Sequence, residues 1–291
     1  MRRRMIRPLA LAILLTGLLV SGLAAMEPEH QETRDLIAFV DRAVALFEEQ
    51  GQAVCATFKT PEWRPGDVYA FVIGLDGHAY CHPARPSLEG TNILDLRDPD
   101  GKPIVRQFVT QVGGESGAGW VHYLWPRPGR GILHWKSSYV RRAHHGDADF
   151  IVGAGAYQLK VEKTFVVERV EAAAELLRQQ GTAAYDTLRD KAGGFLFLDT
   201  YVFVMSTDGV MRVNPRFPDM EGNMVLDIED DAGHYPGREI LAAIADQDAA
   251  WVGYQWPRPN ETRSSRKETY VRKVQVGDLT LAVASGVYTD P

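Results

Sequence analysis

The sequence predicts an α+β fold in which one unit is written twice, each copy a long N-terminal helix packed on an antiparallel sheet. Three observations predict it. The run Gly119-Trp120-Val121-His122-Tyr123-Leu124-Trp125-Pro126-Arg127-Pro128 returns 131 residues later as Ala250-Trp251-Val252-Gly253-Tyr254-Gln255-Trp256-Pro257-Arg258-Pro259. Asp76-Gly77, Gly90, Asp95, Asp98 and Gly101 return as Asp208-Gly209, Gly222, Asp227, Asp230 and Gly233 at an offset of 132. The apolar series Leu36, Ile37, Val40, Ala43, Val44, Phe47 returns as Val166, Val167, Val170, Ala173, Ala174, Leu177 at an offset of 130. A period this long marks a duplicated domain, because solenoid units run from about 20 to 50 residues.

The elements follow in order. Arg2, Arg3, Arg4 and Arg7 precede an apolar run from Leu9 to Ala25, the layout of a secretory signal peptide over residues 1–25. Cleavage after Ala24 or Ala25 leaves two domains, 30–158 and 160–289; left uncleaved, the 17 apolar residues would form a marginal membrane anchor. Each copy opens with an amphipathic helix, 33–50 and 162–180, ended by Gly51 or Gly181. A strand follows in each, 68–73 and 201–205, and Asp-Gly then signals a hairpin turn. Short helices are expected over 103–112, with Pro103 at the first turn, and over 237–245. Three closing strands are expected over 120–125, 133–141 and 151–157, matched by 251–256, 268–274 and 279–288.

Composition narrows the function. The formal charge is −6, and removal of residues 1–25 takes four Arg and no acids, leaving −10. Such acidity disfavours nucleic acid as a partner. Cys55 and Cys81 lie in the first copy, and two readings stay open for them. They form a disulfide closing a loop of about 26 residues, worth about 3 kcal/mol by the loop-entropy relation, or they are two buried thiols.

The motifs resemble the type 2 Cache domain, an extracytoplasmic PAS-like sensor module, in both copies. In the first copy the resemblance rests on Tyr69, Phe71, Asp76-Gly77, His82-Pro83, Gly90-x-Asn92, Asp98-x-Asp100-Gly101 and the Gly119-to-Pro126 run. It continues through Lys136, Ser138-Tyr139-Val140 and Gly153-to-Tyr157. The second copy departs at Asn214 for His82, Met224 for Asn92, Ala232 for Asp100, Ala250 for Gly119 and Ser285 for Ala154, which puts equal ligand chemistry in doubt. The resemblance implies binding of small extracellular ligands, often short carboxylates, by modules of chemoreceptors and histidine kinases.

The site expected from the residues has Lys136 or Lys267 meeting an anionic ligand through a charge-assisted hydrogen bond. Tyr69, Tyr123 and Tyr139 add hydroxyls, Trp125 an apolar wall, and His82 a contact at a strand end. Their counterparts are Tyr201, Tyr254, Tyr270, Trp256 and Asn214. For each, core packing or, at the lysines, a solvated position is the competing reading. Strand alternation sets Tyr123 and Trp125 opposite Trp120 and His122, so Trp120 and Trp251 are packing residues. Alternation also separates Lys136 from Tyr139, so one of the two faces away unless a bulge intervenes.

Metal and catalysis are not expected, and no cofactor is implied. His122, His134, His144 and His145 have no repeated counterpart and are read as solvent-facing or loop residues. Asp95, Asp98 and Asp100 lack the closing Glu of an EF-hand and are read as a turn with a helix N-cap. No nucleophile elbow, P-loop, His-Glu-x-x-His or dinucleotide fingerprint occurs. The expectation is a periplasmic or secreted sensor that binds a small organic anion and signals through a separate membrane kinase or chemoreceptor. A protein-interaction module with vestigial pockets is the alternative, and an enzyme a further one.

Overall fold

Gly51 and Gly181 end the two long helices with φ of +59° and +62°, each donating its N–H back to the carbonyl of Phe47 or Leu177. Glycine enters this region without the Cβ penalty that other residues carry. The computed structural model describes residues 27–289; the expected signal peptide lies outside them.

Helix α1 (Gln31–Gln50) and the short α2 (Val54–Phe58) precede strands β1 (Ala70–Gly74) and β2 (Ala79–Cys81). Helix α3 (Ile104–Gly113) leads into the meander β3 (Ala118–Pro126), β4 (Leu133–His145) and β5 (Ala148–Tyr157). The chain then enters α4 (Lys163–Gln180), α5 (Ala184–Arg189), and a two-stranded ribbon of β6 (Leu196–Phe197) and β7 (Thr200–Tyr201). It continues through β8 (Phe203–Ser206), β9 (Met211–Val213), α6 (Pro236–Ala243), β10 (Ala249–Pro257), β11 (Ser264–Val276) and β12 (Leu279–Tyr288). The first sheet has the order β2-β1-β5-β4-β3 and the second β9-β8-β12-β11-β10, antiparallel throughout.

Period-two alternation divides each sheet into two faces. Ala70, Val72 and Val152 meet Val40, Ala43 and Phe47 of α1, while Phe71, Ile73 and Ile151 meet Val105 and Phe108 of α3. In the second sheet Val202, Val204 and Val283 meet Val170, Ala174 and Leu177 of α4, while Phe203, Met205 and Ala282 meet Ile240 of α6. Helices α2 and α5 and the β6–β7 ribbon were not anticipated: they are too short for periodicity to register. Tyr201 therefore sits in the ribbon rather than in a continuous strand with Phe203.

The two halves join through specific contacts. Buried Glu162 accepts hydrogen bonds from the backbone N–H groups of Glu29 (2.8 Å) and His30 (3.0 Å), just before α1. Phe165 and Phe197 pack into the core beneath α1. His122 corrects the sequence expectation for that residue: it is buried, its ring stacked on Phe197 at 4.0 Å between centroids and tilted on Phe165 at 4.8 Å. Its Nδ1 lies 2.8 Å from Ser137 Oγ, and burial pulls its pKa well below the usual value, so the ring is neutral. Alternation put His122 on the back of β3 correctly, but only the second half's phenylalanines remove it from water.

Asp98 organises the turn before α3 without capping the helix. Its Oδ1 accepts the N–H groups of Asp100 and Lys102, its Oδ2 that of Leu124, and Pro103 stands at the cap position with no side-chain bond. The buried Lys102 donates to the His122 carbonyl at 2.6 Å.

Cys55 and Cys81 form a disulfide, which ties α2 to the end of β2 beside His82. Replacing both cysteines with serine is expected to lower stability by about 3 kcal/mol through the 26-residue separation they bridge, read as a shift in the denaturant midpoint. An unchanged midpoint would remove the loop-entropy account.

Candidate functional site

Each sheet carries a cavity on the face away from its long helix. The first lies between the sheet, the loop after β2 and α3. Phe71, Ile73, His82, Tyr123 and Trp125 contribute from the sheet side, and Leu88, Ile93, Leu96, Ile104, Val105 and Phe108 close it. The second, somewhat roomier, is bounded by Tyr201, Phe203, Met205, Asn214, Tyr254 and Trp256, with Met220, Val225, Ile228, Pro236, Gly237 and Ile240 opposite. Met211 of β9 completes that wall.

Of the residues expected at the site, His82, Tyr123, Trp125, Tyr201, Asn214, Tyr254 and Trp256 line these cavities. Lys136, Lys267 and Tyr69 stand one side chain further in. Tyr139 and Tyr270 do not join them: both lie on the opposite face, against the long helices, because three residues of strand separate them from the lysines without a bulge. Tyr139 packs on Trp120 with ring centroids 5.0 Å apart, and Tyr270 packs on Trp251 at 5.4 Å. The Tyr270 hydroxyl donates to Glu171 of α4 at 2.8 Å.

Lys136 is 1% exposed, and its ammonium has no carboxylate within ion-pairing distance among the described residues. Nζ sits 3.9 Å from the centroid of Tyr69, 5.5 Å from Tyr157 and 6.0 Å from Phe71, which is itself on the cavity wall. The aromatic faces offset part of the lost hydration. Burial still pulls its pKa down to about 7. Lys267 repeats the arrangement over Tyr201 (4.2 Å), Tyr288 and Phe203, with Nζ donating to the Tyr201 hydroxyl at 3.1 Å. Burial lowers its pKa to about 7 as well, with Asp199 opposing.

Two glycines make room for these lysine stems. A Cβ at Gly155 would lie 2.5 Å from Lys136 Cε, and one at Gly286 would lie 2.7 Å from Lys267 Cε. Both belong to the repeated closing strand, where the sequence marks them only as recurring residues. Their role appears once β4–β5 and β11–β12 are paired.

His82 and Asn214 turn out to be equivalent in hydrogen bonding. Each donates its backbone N–H to a glutamate, Glu89 or Glu221. His82 Nδ1 accepts the N–H of Arg85 at 3.1 Å, and Asn214 Oδ1 accepts that of Phe217 at 3.0 Å. Burial first, then the Lys136 charge, lowers the His82 pKa to about 3, so the imidazole is neutral and its proton sits on Nε2. A turn role and a place on the cavity wall are thus compatible, and in the second copy the Asn214 amide Nδ2 donates to Met220 Sδ at 3.8 Å.

The Tyr69 hydroxyl is buried without a hydrogen bond; the Trp125 indole and the Tyr157 hydroxyl approach it without reaching bonding geometry. Tyr157 instead donates to the Pro126 carbonyl at 2.9 Å. Tyr123 pairs with Ser138 at 2.9 Å, and Thr269 with Tyr254 at 2.8 Å. The polar side chains on the first cavity's wall are His82, Tyr123 and Trp125, none of them acidic, and the Lys136 ammonium lies behind Phe71.

A protein-family model described as a Cache domain matches residues 44–291. The chain belongs to the Cache domain family. Cache domains are extracytoplasmic sensor modules that bind ligands rather than catalyse reactions. Relatives of this Cache chain include a sensor histidine kinase of Rhizobium johnstonii, 31% identical over 117 residues, or 40% of this chain and 24% of that protein. A methyl-accepting chemotaxis protein of Pseudomonas putida is 31% identical over 99 residues, 34% of this chain and 18% of that protein. The Cache chain thus matches these relatives over less than a quarter of their length. A solved periplasmic sensor domain of a chemotaxis protein is 30% identical, covering 44% of this chain and 96% of that one with a TM-score of 0.37. Among the described residues no helix is long and apolar enough to cross a membrane.

The apolar wall residues Leu88, Ile93, Phe108, Phe203, Met205, Met211 and Met220 were not singled out from the sequence as site residues, and Phe71 only as part of the family resemblance. Their apolar periodicity is the same whether they fill a core or border a cavity.

Proposed function

We propose that this Cache chain is an exported sensor, periplasmic or secreted, built from two Cache units over 30–158 and 160–289, and that it binds small organic anions. The observation that carries the reading is Lys136, a buried ammonium with no acidic partner, one ring away from a cavity whose polar groups are donors. A carboxylate entering the cavity supplies the missing charge. His82 Nε2–H and the unpaired Tyr69 hydroxyl complete the donor set.

Strands β4 and β11 carry the change to the helices. Each presents its lysine to the cavity and its tyrosine, Tyr139 or Tyr270, to the opposite face, and Arg141 and Tyr270 bond to Asp41 of α1 and Glu171 of α4. A strand that shifts to close on an anion therefore moves contacts on the long helices, the surfaces offered to a separate membrane kinase or chemoreceptor.

The test is a thermal-shift screen of residues 26–291 against short carboxylates, amino acids, amines and purines. Stabilisation by carboxylates alone is expected, about 2.7 kcal/mol at a concentration 100 times the dissociation constant. Stabilisation by amines alone would refute the anion reading, and none by any class would favour a protein-interaction module.

A further inference from the structure

The two cavities differ at register-matched positions, and on the helix side the second loses bulk. In the first, Phe108 of α3 stacks on Phe71 with ring centroids 5.4 Å apart and planes 20° from parallel. The residue 132 positions later is Ile240, so Phe203, the counterpart of Phe71, has no aromatic ring opposite it on α6. At the neighbouring helix position Val105 becomes Gly237. On the strands Ala79 and Ile73 become Met211 and Met205, and in the covering loop Leu88 becomes Met220, all flexible thioethers that adjust to an occupant. The second cavity is the roomier of the two.

We infer that the second cavity takes a monocarboxylate with a longer apolar tail than the first, where the Phe71–Phe108 stack closes space that Ile240 and Gly237 leave open in the second. The inference rests on the anion reading above and adds the tail. The charged end is alike in both, because Lys267 over Tyr201 reproduces Lys136 over Tyr69, and Asn214 stands on the wall where the first copy has His82. What changes is the apolar lining: on the helix a ring gives way to an aliphatic side chain and a valine to glycine, while three thioethers enter from the strands and the loop. Methionine contacts adapt to a straight or branched chain, and each methylene buried strengthens binding about fourfold.

The experiment is calorimetric titration of the full chain with straight-chain carboxylates from acetate to hexanoate. Lys136→Met isolates the second cavity and Lys267→Met the first. In Lys136→Met protein, affinity is expected to climb about fourfold per methylene to a longer chain than in Lys267→Met protein, where it peaks earlier in the series and falls beyond. Ile240→Phe should then weaken hexanoate at least tenfold in the second cavity without altering acetate binding in the first. Phe108→Ile removes bulk instead of adding it, and should let the first cavity accept hexanoate even if Ile240→Phe fails to fold. Equal chain-length profiles in the two lysine variants, or hexanoate affinity unmoved by either exchange at positions 108 and 240, would overturn the inference while leaving the anion reading intact. Failure of every carboxylate to bind the unmodified chain would overturn both.

Discussion

Lys136→Ala is expected to weaken carboxylate binding in the first cavity by about a hundredfold or more, corresponding to roughly 3 kcal/mol for one buried charge-assisted contact. The size follows from the surroundings. No acid competes for this ammonium, and the aromatic rings around it hold water away, so an incoming carboxylate would be its sole charge partner. The empty protein should not suffer in the same way, because the substitution also removes an uncompensated buried charge. Lys136→Met, which keeps most of the stem volume beside Gly155, should melt no lower than the unmodified protein at pH 6 while still losing the ligand. Calorimetry on both variants checks the affinity and a melting curve checks the fold. Retained carboxylate affinity in either variant would remove Lys136 from the site.

Carboxylate affinity is expected to be flat between pH 5.5 and 6.5 and to fall by about tenfold per pH unit above pH 7, until the pKa of the lysine in the complex is reached. The buried ammonium of Lys136 or Lys267 has a pKa near 7 in the empty protein, so an anion arriving above that pH must bring a proton with it. Proton uptake on binding at pH 8, measured by calorimetry in two buffers of different ionisation enthalpy, tests this directly; no uptake would contradict it. The stability of the empty protein moves the other way. Each lysine has a lower pKa folded than unfolded, about 7 against 10.5, so the unfolded chain holds more protons through that window and stability rises with pH across it. His82, at about 3 folded against 6.5 unfolded, is likewise neutral when buried, and its contribution is lost as pH falls from 6.5 towards 3. Melting temperatures at pH 6, 7.5 and 9 should therefore rise, and in the Lys136→Met, Lys267→Met double variant the rise should shrink.

The places where sequence and structure part company share one cause. Alternation along β3 put Tyr123 and Trp125 on one face and Trp120 on the other, and the structure keeps that division, since parity is a local property of a pleated strand. The same rule flagged that Lys136 and Tyr139 conflict, yet it could not say which of them faces the cavity. Pairing of β4 with β3 and β5, and the position of α1, assign Lys136 to the cavity side and Tyr139 to the helix side. His122 was read as exposed because nothing near it in sequence covers it; Phe165 and Phe197, 43 and 75 residues away, do so.

The sequence by itself determined the repetition, the order of helices and strands, the two faces of each strand and the membership in a sensor family. Those follow from recurrence, from the periods of 3.6 and 2 and from motifs whose residues are close in the chain. Only the tertiary structure decided that the two lysines are buried with no ion-paired acid among the described residues, that His82 and Asn214 accept matching backbone bonds, and that the second cavity is the wider. Burial and cavity volume are set by how far each covering helix stands from its sheet. That separation comes from side chains meeting across the fold, such as Phe108 on Phe71, and no local period records it.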